Sequence, residues 1–179
     1  MNRTTMRLDF HRLLPIASFL LLTAPYAATA QEPEPVAGWM AALGLMQFEL
    51  DGTGLAPMVA LRGGTPLSSV LLLEGSMAAA RPEQTTGTSS VLIPEAQLQL
   101  SLPFTSVSPY MGLGAGAIVD FKNTDSGGTQ LDLTISGAVG LRVWIGDRFG
   151  LGFEFRGRGI GADFERNTGE YIVGGNLRR

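Results

Sequence analysis

The sequence contains no cysteine, and its one histidine is His11. The first absence excludes disulfides, thiolate nucleophiles and a lipid attached to a leader-site cysteine. Charge is also scarce: 16% of residues are Asp, Glu, Lys or Arg, against about 25% in ordinary soluble domains. No apolar run is long enough for a spanning helix, yet the mean hydropathy is +0.19 despite 24 glycines. Hydrophobicity this high must be dispersed by alternation, which suits strands in lipid better than a water-soluble core.

The amino-terminal 30 residues read as a secretory leader. Arg3, Arg7 and Arg12 precede the apolar run at 13–22, and Ala28-Thr29-Ala30 supplies a small-x-small cleavage site before Gln31. Pro15 and Pro25 interrupt the region, which is too short for a retained membrane helix. His11 leaves with the leader, so serine–histidine and cysteine–histidine catalysis and imidazole metal sites are not expected in the remainder. Loss of Arg3, Arg7, Arg12 and Asp9 turns the net charge of −3 into −5, which speaks against a nucleic-acid partner. Residues 31–36, with Pro33 and Pro35, form a short periplasmic tail, and 37–179 one β-barrel domain.

Period-two alternation dominates that domain. Over 130–145, Leu131, Leu133, Ile135, Gly137, Val139, Leu141, Val143 and Ile145 oppose Asp132, Thr134, Ser136, Ala138, Gly140, Arg142 and Trp144. After a turn at 146–148, Leu151, Phe153 and Phe155 alternate with Gly152, Glu154, Arg156 and Arg158, the pattern of a hairpin of long strands. Further strands are expected at 37–50, 57–62, 69–79, 90–102, 109–121 and 170–178. Pro94 removes a ladder donor and should mark a strand end or bulge. The expectation is an all-β, eight-stranded antiparallel up-and-down transmembrane barrel behind a cleavable signal peptide. Connections at 51–56, 81–89, 122–128 and 162–169 would face outward, and those at 63–68, 103–108 and 146–148 the periplasm.

The polar parity collects Glu74, Glu95, Asp132, Arg142, Glu154, Arg156, Arg158 and Glu170 as candidate lumen residues. Eight strands leave an interior that side chains can fill, so these charges should pair across it as a structural network. Arg142, Arg156 and Arg158 are the expected partners of Glu74, Glu95, Asp132 and Glu154. No catalytic, cofactor or metal site is expected. Gly112-x-Gly114-x-x-Ala117 lacks the strand–helix context of a dinucleotide fingerprint, and lumen glycines more simply make space for bulky neighbours. Residues 123–127 lack the spaced acids of a calcium loop. Hydrolysis by a pair among Glu74, Glu95 and Glu154 has no evident cleft.

The run from Pro109 to Gly116, the run from Gly140 to Trp144, and Glu154-Phe155-Arg156 resemble the small outer-membrane β-barrel domain proteins, the OmpA/OmpX-like eight-stranded group. The resemblance implies a diderm outer membrane, contact with its lipid, and delivery by periplasmic chaperones and the barrel-assembly machinery. It implies a structural or surface-interaction role without a reaction, and names no extracellular partner. Two alternatives stand beside it. One is a secreted calycin-like barrel with inverted faces that binds an apolar ligand. The other is a membrane-embedded lipid-modifying enzyme, disfavoured by the missing histidine.

Overall fold

The computed structural model describes residues 38–48, 55–84, 87–102, 104, 106–122, 128–161, 163–164 and 166–178. The expected leader and tail, 1–36, lie outside them, as do most of the expected loop at 51–56 and the candidate calcium loop. Eight long strands close on themselves: β1 (Gly38–Phe48), β2 (Leu55–Pro66), β3 (Leu71–Ala80), β5 (Gly87–Ser101), β6 (Val107–Lys122), β7 (Thr129–Ile145), β8 (Phe149–Ile160) and β9 (Arg166–Arg178). β4 (Glu83–Gln84) is a two-residue extension paired only with Thr88 and Gly87 of β5. Every pairing is antiparallel, and β9 against β1 completes the barrel.

The registers fix its dimensions. The line of partners Gly38, Gly64, Glu74, Gln97, Gly114, Ser136, Arg158 and Thr168 returns to β1 at Phe48, ten residues beyond its start. With strands rising about 3.3 Å per residue and spaced about 4.8 Å, this stagger tilts them about 40° and gives a backbone radius of roughly 8 Å. Such a cylinder is filled by side chains from opposite walls.

Several expected boundaries move. β2 was expected at 57–62 and runs on to Pro66, because Gly63 and Gly64 are wall positions rather than a turn. Gly63 pairs with Trp39 and Gly75, and Gly64 with Gly38 and Glu74. An added Cβ at Gly63 would lie 2.9 Å from the Trp39 ring, and one at Gly64 would lie 3.1 Å from Leu72. The short connections are therefore 67–70, 102–106 and 146–148, with Gly146 at φ 76 opening the last. At the other end β5 begins at Gly87 inside the expected 81–89 loop, and β9 begins at Arg166 inside the expected 162–169 loop. Pro94 is in mid-strand, not at an end. It faces outward opposite Met77, and the β5–β6 ladder skips Ile93 and Pro94, where no proline N–H exists to donate.

All charges on the eight barrel strands share the inward parity. Outward positions carry none; they hold Leu43, Val59, Leu61, Leu113, Leu133, Ile135, Val139, Phe153 and Tyr171, each at least 47% exposed. An apolar ligand-binding lumen would need the reverse arrangement, so the inverted soluble barrel is overturned. No described helix is long and apolar enough to cross a membrane, and a barrel crosses with its strands.

Candidate functional site

The interior has two zones. Towards the short connections and the middle it is charged. Towards the other end, where the connections 49–54, 81–86, 123–128 and 161–165 (the long connections) join the strands, it is lined by Met46, Met58, Ala80, Val91, Ile93, Ile118 and Ile160, all buried.

Glu154 is the hub of the charged zone. Arg62 approaches it with two guanidinium nitrogens, Nη1 to Oε2 at 2.7 Å and Nη2 to Oε1 at 3.1 Å. Tyr110 donates its hydroxyl to Oε2 at 2.6 Å, and Arg156 donates Nε to Oε1 at 3.0 Å. Arg156 reaches onward, Nη1 to Glu95 and Nη2 to Gln97 at 2.8 Å. Glu95 bridges to Arg158, which also donates Nε to Glu170 at 2.8 Å and Nη1 to Thr134 at 3.2 Å. Arg142 donates to Gln99, stacks 4.1 Å over the Tyr110 ring, and stands 3.7 Å from Glu74. Glu74 is 3.7 Å from Arg62 as well.

Four arginines and four glutamates thus share one enclosed space and balance in formal charge. That is the condition under which buried ions are tolerated, since each unpaired one would carry its full desolvation penalty. Two-residue spacing along the strands builds the set: Glu154, Arg156 and Arg158 on β8, Glu95, Gln97 and Gln99 on β5.

Seven of the eight residues singled out in the sequence meet here: Glu74, Glu95, Arg142, Glu154, Arg156, Arg158 and Glu170. Asp132 does not. It lies beyond the Thr134–Ile160 pair at the long-connection end, opposite Ile118, where it accepts Arg166 at 2.8 Å and Gln130 at 2.9 Å in a partly exposed rim. Its ion pair is with Arg166, and none of Arg142, Arg156 and Arg158 pairs with it among the described residues. Sequence reasoning omitted Arg62, Tyr110, Gln97 and Gln99. Arg62 was visible in principle, because it shares the parity of the buried Met58 and Ala60, and arginine on the lipid face is costly.

The lumen glycines create the room this network occupies. A Cβ on Gly114 would sit 2.6 Å from Ser136 Oγ and 2.7 Å from Glu95 Oε1. One on Gly140 would overlap the Tyr110 ring, 2.6 Å from Cε1. The Gly112–Ala117 run lies within β6, and no helix follows it among the described residues. Gly140→Ala should therefore destabilise by about 1–3 kcal/mol, the cost of overpacking, in urea unfolding from lipid vesicles. Adding Tyr110→Ser should recover part of that loss, because the overlapping ring is gone.

The chain is similar to known proteins in one architecture. The family model described as outer membrane protein beta-barrel domain matches residues 14–175. Neisserial surface protein A is 14% identical, with a TM-score of 0.66 over 80% of this chain and 96% of that one. Ail, the attachment invasion locus protein of Yersinia pestis, is 15% identical, with a TM-score of 0.61 over 82% and 99%. The outer membrane enzyme PagL is 15% identical, with a TM-score of 0.50 over 80% and 100%. No curated protein matches significantly. Strand number, closure, inward charge and the matched span agree: the chain belongs to the outer membrane β-barrel domain family.

Proposed function

We propose that the chain is a non-catalytic protein of a diderm outer membrane, exported by the leader at 1–30, with a structural or surface-interaction role. The observation that carries this reading is the lumen. Four inward arginines and four glutamates neutralise one another and fill the space that a conducting or substrate-binding barrel would keep open. An outward face without charge supports its lipid partner, and the family match supports the proposed chaperone and assembly partners. The long-connection end, lined beneath by apolar side chains, is the surface left for an extracellular partner.

An enzyme, PagL, shares the fold, so fold alone does not decide between roles. The residues favour the non-catalytic reading. The only histidine is His11, in the expected leader, and the carboxylates of Glu95, Glu154 and Glu170 are committed to arginines inside the wall. Three measurements test it together. The protein should fractionate with outer membranes, begin at Gln31 by mass spectrometry, and give no steady conductance in planar bilayers. A stable single-channel current in the folded monomer would overturn the filled-lumen reading. Release of fatty acids from added outer-membrane lipid would overturn the non-catalytic one.

A further inference from the structure

The short-turn mouth of the barrel holds polar groups that the interior network leaves unanswered. A cavity of about 50 Å³ opens there, lined by Arg62, Glu74, Arg142, Trp144, Asn176 and Arg178 among others. Arg62, Glu74 and Asn176 are each more than nine-tenths buried, and each carries an atom without a hydrogen-bond partner: Nε, Oε1 and Nδ2 respectively. Glu74 stands 3.7 Å from both Arg62 and Arg142. That separation is too long for a direct hydrogen bond and suits a bridging group.

Charge points the same way. The eight-membered network sums to zero, and Asp147, Arg148 and Arg178 beside it sum to +1, with Asp147 the anion acting on Arg178. One positive charge is then in excess. Arg178 stacks 3.6 Å over Trp144 and belongs to no ion pair among the described residues. The complement of this mouth accepts hydrogens from Arg62 and Asn176, brings negative charge to Arg142 and Arg178, and donates one hydrogen to Glu74. Water satisfies the unpartnered atoms and brings no negative charge to Arg142 and Arg178. A simple cation is repelled by three arginines, and a carboxylate or sulfate dianion has no hydrogen to offer an ionised Glu74.

We infer that the short-turn mouth binds a phosphate group that carries or adjoins a hydrogen-bond donor. Two sources share this chemistry: free hydrogen phosphate, and a phospholipid headgroup bearing an ammonium or hydroxyl. The lipid source has a path for its chains, because Trp39 and Leu177 border the cavity and are 60% and 57% exposed on the apolar wall.

The test uses folded protein purified from membranes in a maltoside micelle. Native mass spectrometry reads retention of phosphatidylethanolamine, phosphatidylglycerol and phosphatidylcholine, and phosphorus NMR line broadening reads inorganic phosphate. For a headgroup site, one ethanolamine or glycerol lipid is retained about tenfold better than the choline lipid, whose headgroup has no donor for Glu74. For a free-phosphate site, broadening saturates without lipid preference. In either case Asn176→Leu weakens binding about tenfold, the loss of one hydrogen bond to a charged group, while Asp132→Asn at the opposite end leaves it unchanged. Glu74→Gln, if it folds by gel mobility, erases the headgroup preference and retains phosphate; if it does not fold, Asn176→Leu alone decides. Binding that is absent, or equal in wild type and Asn176→Leu for phosphate and every lipid, overturns the site and leaves a cavity holding water only.

Discussion

Glu154→Ala is expected to cost the barrel about 3–5 kcal/mol, the usual penalty for breaking a buried ion pair from one side. The variant strands Arg62, which is 2% exposed and makes its two short contacts to this carboxylate alone. It also removes the acceptor of Tyr110 and one of three partners of Arg156. Tyr110→Phe deletes one charge-assisted hydrogen bond and should cost less, about 1.5–3 kcal/mol. The double variant Arg62→Met, Glu154→Leu should be milder than Glu154→Ala, since apolar side chains of similar volume often replace a buried pair without loss. Urea unfolding in lipid vesicles, followed by gel mobility of the intact barrel, measures all three. If Glu154→Ala proved neutral, water would have to enter and solvate Arg62, and the lumen could not be the close-packed filling that the proposed function requires.

The architecture was legible because one physical rule repeats along the chain. Period-two alternation sorts Leu131 to Ile145 from Asp132 to Trp144 with no knowledge of any partner, and the same rule marks Glu154, Arg156 and Arg158 as inward. What alternation does not encode is height along the barrel. Asp132 and Arg142 share a face of β7, yet one lies at a partly exposed rim and the other in the network, because the stagger of ten residues sets which layers meet. Partner choice across the lumen is a property of that stagger: Arg62 meets Glu154 from 92 positions away. Arg62 was missed for a local reason, since the glycines after it imitate a turn and shorten the apparent strand. The specific role was not legible at all. The connections expected at 51–56, 81–89, 122–128 and 162–169 hold ordinary polar residues whose spacing matches no catalytic or metal motif.

The opposite faces of β7 give the second large effect. Val139 points outward, 51% exposed, paired with Met111 and Phe155 within the apolar band. Ser136 points inward at 2% exposure, paired with Gly114 and Arg158. If lipid covers the outer face, Val139→Arg should destabilise by about 2–4 kcal/mol, the cost of arginine near the bilayer midplane, falling towards zero as a site nears the interface. Val139→Leu should be close to silent there, because fluid chains accommodate a methylene that a packed interior resists. Ser136→Leu should behave in the opposite sense: chemically milder than arginine, yet costly by about 1–3 kcal/mol because it overpacks the lumen. Vesicle unfolding of the three variants separates the faces without reference to any partner or activity. Tolerance of Val139→Arg in a protein that stays folded and monomeric without detergent would place water, not hydrocarbon, against Met111, Val139 and Phe155. The proposed membrane location would then fall even though the barrel itself stands.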